Sequence, residues 1–297
     1  MRNWVKLTAG AVGAVVLLAA ATVAVGVVMA DRKMQRKVEV AVQPVAFRTD
    51  AQAIERGRYL YASRGCVDCH GANGAGRTFV DDGALRIKGP NISPGPGTVV
   101  AGYQPEDWVR AIRHGVAPSG RPLLIMPSED YNRFTDEDLS ALVAHVRALP
   151  PVNGTAAVID LPLPVRVLYG VGYIPDAASK IDHALPPARP VAEGVNLKHG
   201  AYVANMCPGC HGANLAGGRI PGGPPDWPAA SNLTPGDGSV LARYPDADAL
   251  MRLFRTGRRP DGTGVKVMPF ESLREMSETD VRALYLHLKS LKPLPQG

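Results

Sequence analysis

Two short stretches decide how this chain folds: Cys66-Val67-Asp68-Cys69-His70-Gly71 and Cys207-Pro208-Gly209-Cys210-His211-Gly212. Each stretch places two thiols three residues apart and an imidazole directly after the second thiol. All four cysteines of the chain lie in these two stretches, so none is left for a disulfide elsewhere. Both stretches also continue with Ala-Asn, so they are copies of one pattern.

The two stretches belong to a longer internal repeat. Their first cysteines are 141 residues apart. Further pairs keep an offset of 141 or, after one inserted residue, of 142: Asn91 and Asn232, Met126-Pro127 and Met268-Pro269, Asp138 and Asp280, and His145 and His287. Repeats in solenoids are roughly 20 to 50 residues long, so this period indicates duplication of a whole domain.

The C-x-x-C-H spacing is the attachment pattern of a c-type haem. Two thiols on one helical turn can each form a thioether to one porphyrin, and the adjacent imidazole then lies under the iron. A thioredoxin-like pair would need a βαβ pattern, and a four-cysteine zinc site would need its pairs about 15 to 20 residues apart. Here 137 residues separate them. The sequence therefore predicts two covalent haems, with these residues as thioether and proximal ligands: Cys66, Cys69, Cys207, Cys210, His70 and His211.

Each iron also needs a ligand on its other face or an open position there. Met126 is the only methionine of the first repeat after its cysteines, and Met268 lies in the matching Met-Pro of the second repeat. Met251 falls on an apolar helical stripe and Met276 just precedes a helix N-cap, so we expect both to pack in the core. Met126 and Met268 are therefore the predicted sixth ligands. A thioether favours Fe(II) and so raises the reduction potential.

The composition of the 297 residues excludes two broad classes of protein. A hydrophobic fraction of 45% with 20% charged residues is too polar for a multi-pass membrane protein and too apolar for a disordered chain. The formal net charge of +6 would suit nucleic-acid binding, but six basic residues flank a hydrophobic N-terminal segment instead. We expect no nucleic-acid partner.

The N-terminal segment predicts a membrane anchor. From Leu7 to Ala30 the chain has 24 uncharged, mostly apolar residues. This length crosses a ~30 Å hydrocarbon core and exceeds the roughly 7 to 15 apolar residues of a signal peptide. Val28-Met29-Ala30 leaves cleavage open as the alternative. Two basic residues precede the segment and four follow in 31–37, which by the positive-inside rule favours a cytoplasmic body. The haem chemistry requires the opposite side, so we expect the periplasmic side of a bacterial inner membrane.

Composition and helical patterns divide the chain into five parts. We expect the anchor and its flanks over 1–37, a connector over 38–51, a first domain over 52–151, a Pro-rich linker over 152–194 and a second domain over 195–297. We expect the apolar middle of the linker to lie against one or both domains, because a fully solvated linker would not be so apolar.

Helical patterns recur in both repeats. Thr135 and Ser277 are candidate N-caps, each followed by acidic residues and then by apolar residues at helical spacing. Helices over Ile54–Ser63 and Asn196–Asn205 lead into the cysteines. No segment shows convincing strand alternation, so the fold class expected is all-α.

These features resemble the class I cytochrome c fold. The pairing is similar to the membrane-anchored cytochrome c subunits of bacterial periplasmic alcohol and aldehyde dehydrogenases. The resemblance rests on the two C-x-x-C-H-G motifs, the two Met-Pro sites and the loops Asn91-Ile92-Ser93-Pro94 and Asn232-Leu233-Thr234-Pro235, within 52–151 and 195–293. It implies two tandem cytochrome c domains behind an N-terminal transmembrane helix. Some members have three haem motifs, so their quinone-reactive role is not implied here.

The resemblance implies a dihaem cytochrome c that transfers single electrons in a periplasmic respiratory chain and is not itself an enzyme. The implied donor is a dehydrogenase subunit, and the implied acceptor is a quinone, a soluble cytochrome or a terminal oxidase. A dihaem enzyme, such as a peroxidase or a thiosulfate dehydrogenase, is the alternative. A peroxidase would need an exchangeable iron face, which two methionine ligands do not leave. A structural anchor with vestigial haems is a third possibility.

A basic run in the second repeat has two interpretations. It consists of Arg252, Arg255, Arg258 and Arg259 and has no equivalent cluster in the first repeat. It is either a solvated or propionate-pairing face or a patch that docks a partner.

Overall fold

The computed structural model describes residues 2–221, 223–224 and 226–297. Its α-helices are α1 (Arg2–Gln35), α2 (Ala51–Ser63), α3 (Cys66–His70), α4 (Pro105–His114), α5 (Ser128–Tyr131), α6 (Asp136–Ala148), α7 (Leu163–Gly170), α8 (Leu197–Ala204), α9 (Pro208–His211), α10 (Ala247–Thr256), α11 (Phe270–Leu273) and α12 (Glu278–Ser290). Its strands are β1 (Thr78–Asp81), β2 (Arg86–Lys88) and β3 (Val158–Asp160). Two 3-10 helices cover Ala178–Lys180 and Val240–Arg243.

A small antiparallel sheet corrects the all-α expectation. The strands lie in the order β1-β2-β3, with Ile87 of β2 opposite Ile159 of β3. Strands of three or four residues are too short to show an alternating pattern in the sequence. β3 comes from the segment expected to be a linker, so that part of the chain pairs with a hairpin of the first repeat.

The first and last helices of each repeat cross at a glycine. A Cβ on Gly57 of α2 would collide with the backbone carbonyl of Ala141 in α6. A Cβ on Gly200 of α8 would collide in the same way with Ala283 in α12. Two helix backbones can approach this closely only where no side chain lies between them. The repeat seen in the sequence is therefore also a repeat of helix packing.

The N-caps predicted for the last helices are confirmed. The hydroxyl of Thr135 accepts a hydrogen bond from the backbone N–H of Asp138 at 3.0 Å. The hydroxyl of Ser277 accepts the equivalent bond from Asp280 at 3.1 Å. Each cap satisfies an N–H that has no partner inside the helix.

Each repeat has its own hydrophobic core. Buried residues of the first cluster include Leu60, Trp108, Tyr131, Leu139 and Val143. Buried residues of the second cluster include Val203, Leu253, Phe254, Met276 and Leu284. Both clusters combine residues from the first, internal and last helices of one repeat.

The two repeats meet through reciprocal contacts. Tyr59 of α2 donates a hydrogen bond to Asp280 Oδ2 at 2.6 Å and accepts one from the backbone N–H of Ser277 at 3.1 Å. The equivalent Tyr202 of α8 donates to Asp138 Oδ2 at 2.7 Å and accepts one from the N-cap residue of α6 at 3.3 Å. Each tyrosine thus reaches the N-terminus of the last helix in the other repeat, as in a two-fold interface.

One buried ion pair departs from this symmetry. Arg64 Nη2 lies 2.5 Å from Asp280 Oδ2, and both side chains are almost fully buried. Asn205 occupies the position of Arg64 in the second repeat. Burial alone would raise the pKa of Asp280, but the charge and hydrogen bond of Arg64 lower it. The carboxylate therefore stays ionised inside the interface.

The segment between α1 and the first repeat is packed rather than free. The backbone N–H of Val38 donates to the carbonyl of Gly120 at 2.9 Å, and Val45 is buried in the first core cluster. The guanidinium of Arg147 lies 3.7 Å from the ring centroid of Phe47. The chain that leaves α1 is thereby fixed to the first repeat.

The N-terminal helix is apolar and exposed. Its span Asn3–Gln35 has a mean hydropathy of 2.6 in its most apolar window, of which 6% is buried, so by length and composition it can cross a membrane. The apolar middle of the linker, expected against a domain, instead forms α7 and packs against α1.

We predict that Gly57→Ala destabilises the chain, because the new methyl group would separate α2 from α6. The expected loss is about 1 to 3 kcal/mol, as for other over-packed cores. The urea midpoint of the haem-loaded chain in detergent measures it. Gly102→Ala is the control, since a Cβ there meets nothing within 4 Å. Equal effects of the two variants would contradict the close crossing.

We also predict that Arg64→Met destabilises the interface, because it removes the arginine whose charge and hydrogen bond favour the ionised form of the buried Asp280 carboxylate. Removing one partner of a buried pair costs about 3 to 5 kcal/mol, whereas an exposed pair contributes about 1 kcal/mol or less. Arg58→Met, which breaks an exposed pair with Glu55, is the control. Amide hydrogen exchange at the start of α12 should accelerate only in Arg64→Met.

Candidate functional site

Each C-x-x-C-H motif forms a single helical turn. The backbone N–H of Gly71 donates to the carbonyl of Val67 at 2.9 Å, and that of Gly212 donates to Pro208 at 2.9 Å. These glycines have φ values of 71° and 76°, in the left-handed region that favours glycine. The turn therefore ends directly after the histidine, with both cysteines on one short helix or at its cap.

The two motif histidines are oriented in the same way. His70 Nδ1 lies 3.0 Å from the carbonyl oxygen of Pro90, and His211 Nδ1 lies 2.8 Å from that of Ser231. The carbonyls are acceptors, so Nδ1 carries the proton and Nε2 keeps a free lone pair in each ring. Such a bond to the second nitrogen is the usual way in which a metal-binding histidine is held in place.

Desolvation favours the neutral form of both imidazoles and of all four thiols, including that of Cys210, whose side chain is exposed. It lowers the pKa of His70 and of His211. Burial likewise raises the thiol pKa of Cys66 to about 12, of Cys69 to about 11 and of Cys207 to about 12, and it raises that of Cys210. A neutral imidazole is the ligand form of histidine. Reactive thiol pairs need a lowered pKa, so these values do not suit a redox-active disulfide.

The structure brings the predicted sulphur ligands to the matching cores. Half-buried Cys66 and Met126 both pack against the first hydrophobic cluster. Cys207 and Met268 both pack against the second. Met276 is fully buried in that second cluster, as its packing role requires. The assignment of Met126 and Met268 as iron ligands remains a prediction.

Two further observations bear on whether a haem fits. The indole Nε1 of Trp108 is buried in the first repeat and has no hydrogen-bond partner among the residues that the structure describes, which suits an acceptor such as a haem propionate. Across the described part of the chain, no three His, Cys, Asp or Glu side chains are grouped so that they could hold a metal ion by themselves. The donor set of each motif therefore fits a haem better than a zinc ion.

The repeated asparagines stabilise loops. The amide nitrogen of Asn91 donates to the carbonyl oxygens of Pro96 and Val152, both at 3.0 Å. Its amide oxygen accepts from the backbone and hydroxyl of Ser93 at 2.9 and 2.8 Å. Asn232 likewise donates to the carbonyl of Leu294 at 2.7 Å and accepts from the backbone and hydroxyl of Thr234, both at 2.8 Å. Each asparagine directly follows the residue whose carbonyl orients the motif histidine. Its side chain connects that loop to the segment that follows the last helix of the same repeat.

The basic run is partly used inside the protein. Arg255 Nη2 donates to the carbonyl of Met276 at 2.9 Å, as Arg113 Nη2 does to Phe134 at 2.7 Å in the first repeat. Arg258 and Arg259 donate to carbonyls of their own loop. Arg255 therefore has a structural role that both repeats share.

Sequence reasoning missed the contacts between each motif and the other repeat. The N–H of Gly209 donates to Asp130 Oδ1 at 2.9 Å, and the hydroxyl of Ser272 donates to Asp68 Oδ2 at 3.2 Å. Gly209 and Asp68 occupy the same position within the two motifs, as Asp130 and Ser272 do within the repeat. Burial raises the pKa of Asp130 to about 7. The offset relates these pairs, but nothing in the sequence indicates that they touch.

Comparisons with known proteins agree with this geometry. Residues 52–146 match the family model described as cytochrome C oxidase, cbb3-type, subunit III. The chain is 30% identical to the gluconate 2-dehydrogenase cytochrome c subunit of Pantoea cypripedii over 270 residues, which are 80% of this chain and 59% of that protein. It is 27% identical to the fructose dehydrogenase cytochrome subunit of Gluconobacter japonicus over 274 residues, 84% of this chain and 54% of that protein.

A third relative matches a shorter stretch. The diheme cytochrome c-type protein of Cereibacter sphaeroides is 29% identical over 129 residues, which are 39% of this chain and 43% of that protein. The chain thus spans little more than half the length of the curated dehydrogenase relatives that it matches. Residues 52–146 are similar to a cytochrome c family model, and more than three quarters of the chain is similar to cytochrome c subunits of bacterial dehydrogenases.

Proposed function

We propose that the chain is a dihaem electron-transfer protein and not itself an enzyme. Its two cytochrome c domains would cover 52–151 and 195–297, each with one covalently bound haem c. Haem c supplies a single-electron couple when it is bound. The relatives named as cytochrome subunits of dehydrogenases support this role. None of them supports the alternative of a dihaem peroxidase or thiosulfate dehydrogenase.

The roles of the chain's own residues follow from chemistry. Cys66 and Cys69 would hold the first porphyrin, and Cys207 and Cys210 the second, as thioethers. His70 and His211 would bind iron through Nε2, because Nδ1 is engaged by a carbonyl in both rings. Met126 and Met268 would close the opposite face and favour the reduced state.

The interface between the repeats is the main structural support for the proposed electron transfer. The motif helix α3 packs against α11, which follows Met268-Pro269, and α9 packs against α5, which follows Met126-Pro127. The positive charge of Arg64 acts to lower the pKa of both Cys66 and Cys207, so Arg64 lies near both motifs. Both attachment sites therefore border one interface. Electron transfer slows steeply with distance, so this arrangement favours transfer between two haems.

The expected setting is the outer face of a bacterial inner membrane. α1 would be the single membrane span, and both haem domains would lie on the periplasmic side. The proposed donor is a membrane-associated dehydrogenase subunit, as the names of the relatives suggest. The proposed acceptor is a quinone, a soluble cytochrome or a terminal oxidase.

We predict that the purified chain carries two covalent haems. Its mass should exceed that of the bare polypeptide by two haem units, and acid-acetone extraction should leave the colour with the protein. Cys66→Ala with Cys69→Ala should remove one haem, and Cys207→Ala with Cys210→Ala the other, so each pair is the control for its counterpart. A wild-type chain with one haem or none would contradict the proposal.

We further predict that Met126→Ala and Met268→Ala each lower one of two midpoint potentials, because the alanine removes the thioether that stabilises Fe(II). Redox titration measures the shift, and carbon monoxide binding to the reduced protein reports the opened position. Met251→Ala is the matched control, with unchanged potentials and no binding. If Met251→Ala changed a potential and Met268→Ala did not, the ligand assignment in the second repeat would be wrong.

A further inference from the structure

The linker carries an exposed apolar surface that the proposed function does not use. It consists of Leu163, Leu168, Val171 and Tyr173, at or just after α7, and we refer to it as the linker face. Their exposed fractions are 53%, 39%, 53% and 77%. Leu168 and Val171 are three residues apart and so share one side of α7 and its C-cap, with the exposed Pro164 one turn before Leu168. Leu163 and Tyr173 lie at the two ends of the surface.

The linker face is attached directly to the membrane helix. A Cβ on Gly170 would collide with the backbone carbonyl of Gly26 and approach the backbone of Ala30 to 2.8 Å. A Cβ on Gly26 would contact Val167 at 2.7 Å. The backbones of α1 and α7 therefore touch at small residues, as packed helices in membranes commonly do.

Polar contacts at the C-terminal end of α1 stabilise the crossing of α1 and α7. Lys33 Nζ donates to the carbonyls of Tyr169 and Ile174 at 3.0 and 3.1 Å. Arg36 forms a two-point ion pair with the buried Asp176, whose nitrogen–oxygen distances are 2.5 and 2.7 Å. The hydroxyl of Tyr169 also donates to Asp176 at 3.0 Å. α7 consequently cannot swing away from α1 without breaking buried polar contacts.

The length of the anchor gives the depth of this crossing. The apolar run from Leu7 to Ala30 is about 36 Å long at ~1.5 Å per residue, whereas the hydrocarbon core is about 30 Å thick. The last turn of the run, which contacts α7, therefore falls at the boundary between acyl chains and headgroups. Apolar neighbours on α1, Val25, Val28 and Met29, are also exposed there.

The residues around the linker face match such a boundary. Arg32 is exposed, and Arg166 forms a largely exposed pair with Asp31 at 2.5 Å. Basic side chains can reach lipid phosphates, and tyrosine is enriched at the membrane–water interface. The linker face therefore suits a binding partner that is apolar opposite the centre of the face and anionic opposite its edge.

We propose that the linker face is a second membrane contact, inserted at the acyl–headgroup boundary of the bilayer beside α1. The proposal rests on α1 being a membrane span. A span alone lets the attached domains rotate and tilt. The linker face is attached to α1, and the backbone N–H of Ala177 just after it donates to the carbonyl of Leu123 in the first repeat at 3.1 Å. A second membrane contact attached in this way would hold the haem domains in one orientation over the membrane surface.

The experiment uses the full haem-loaded chain in phosphatidylcholine–phosphatidylglycerol vesicles. The native cysteines are held as thioethers, so Leu168→Cys or Val171→Cys can be labelled alone with an environment-sensitive fluorophore. Leu286→Cys and Val195→Cys are matched controls, because their parent side chains are 41% and 54% exposed on the second repeat or just before it. Vesicle flotation first reports whether the chain is anchored.

Both linker labels should emit at shorter wavelength in vesicles. Lipids with a nitroxide near the headgroup end of the chain should quench them several-fold more than the two control labels. A chain that does not float would overturn both the anchor and the linker contact. A chain that floats with linker labels no more quenched than the controls would overturn the linker contact alone. Burial of those labels only on addition of a protein partner would likewise refute the lipid assignment.

Discussion

Two aspartates at the N-termini of the last helices hold the rest of the structure together. Asp138 accepts hydrogen bonds from Arg56 of its own repeat at 2.8 and 3.0 Å and from Tyr202 of the other at 2.7 Å. Asp280 pairs with His199 of its own repeat at 2.7 Å and with Tyr59 of the other. One carboxylate thus fixes a helix crossing within its repeat and the contact between repeats.

This shared use of a carboxylate links haem binding to assembly. The first helix of each repeat leads directly into its cysteines, so its position sets the position of the motif. The same helix carries the tyrosine that reaches across the interface. A change in the packing of one repeat would therefore alter the position of the C-x-x-C-H motif in the other, which agrees with the proposal of two haems at a fixed separation.

The basic residues that follow the apolar run of α1 have structural contacts in the folded chain. Lys33, Arg36 and Lys37 follow the apolar run and by number favour a cytoplasmic body. In the folded chain they donate to backbone carbonyls of Tyr169, Ile174 and Ser119 and to Asp176. Their presence therefore has a structural reason that is independent of membrane orientation.

The sequence by itself determined what depends on neighbouring residues: the two C-x-x-C-H turns, the caps at Thr135 and Ser277, the apolar N-terminal helix and the internal repeat. These follow from spacing along the chain, and the fold family and the haem chemistry follow from them. Only the tertiary structure decided four features: the short sheet that includes β3, the contacts of the histidines with the carbonyls of Pro90 and Ser231, the buried Arg64–Asp280 pair and the packing of α7 against α1. Each of these features joins segments that lie tens to hundreds of residues apart in the sequence. The histidine contacts also use backbone carbonyls, which every residue has and which the sequence therefore does not mark. Such contacts are fixed only when the helices pack, since packing selects which of many equivalent polar groups meet.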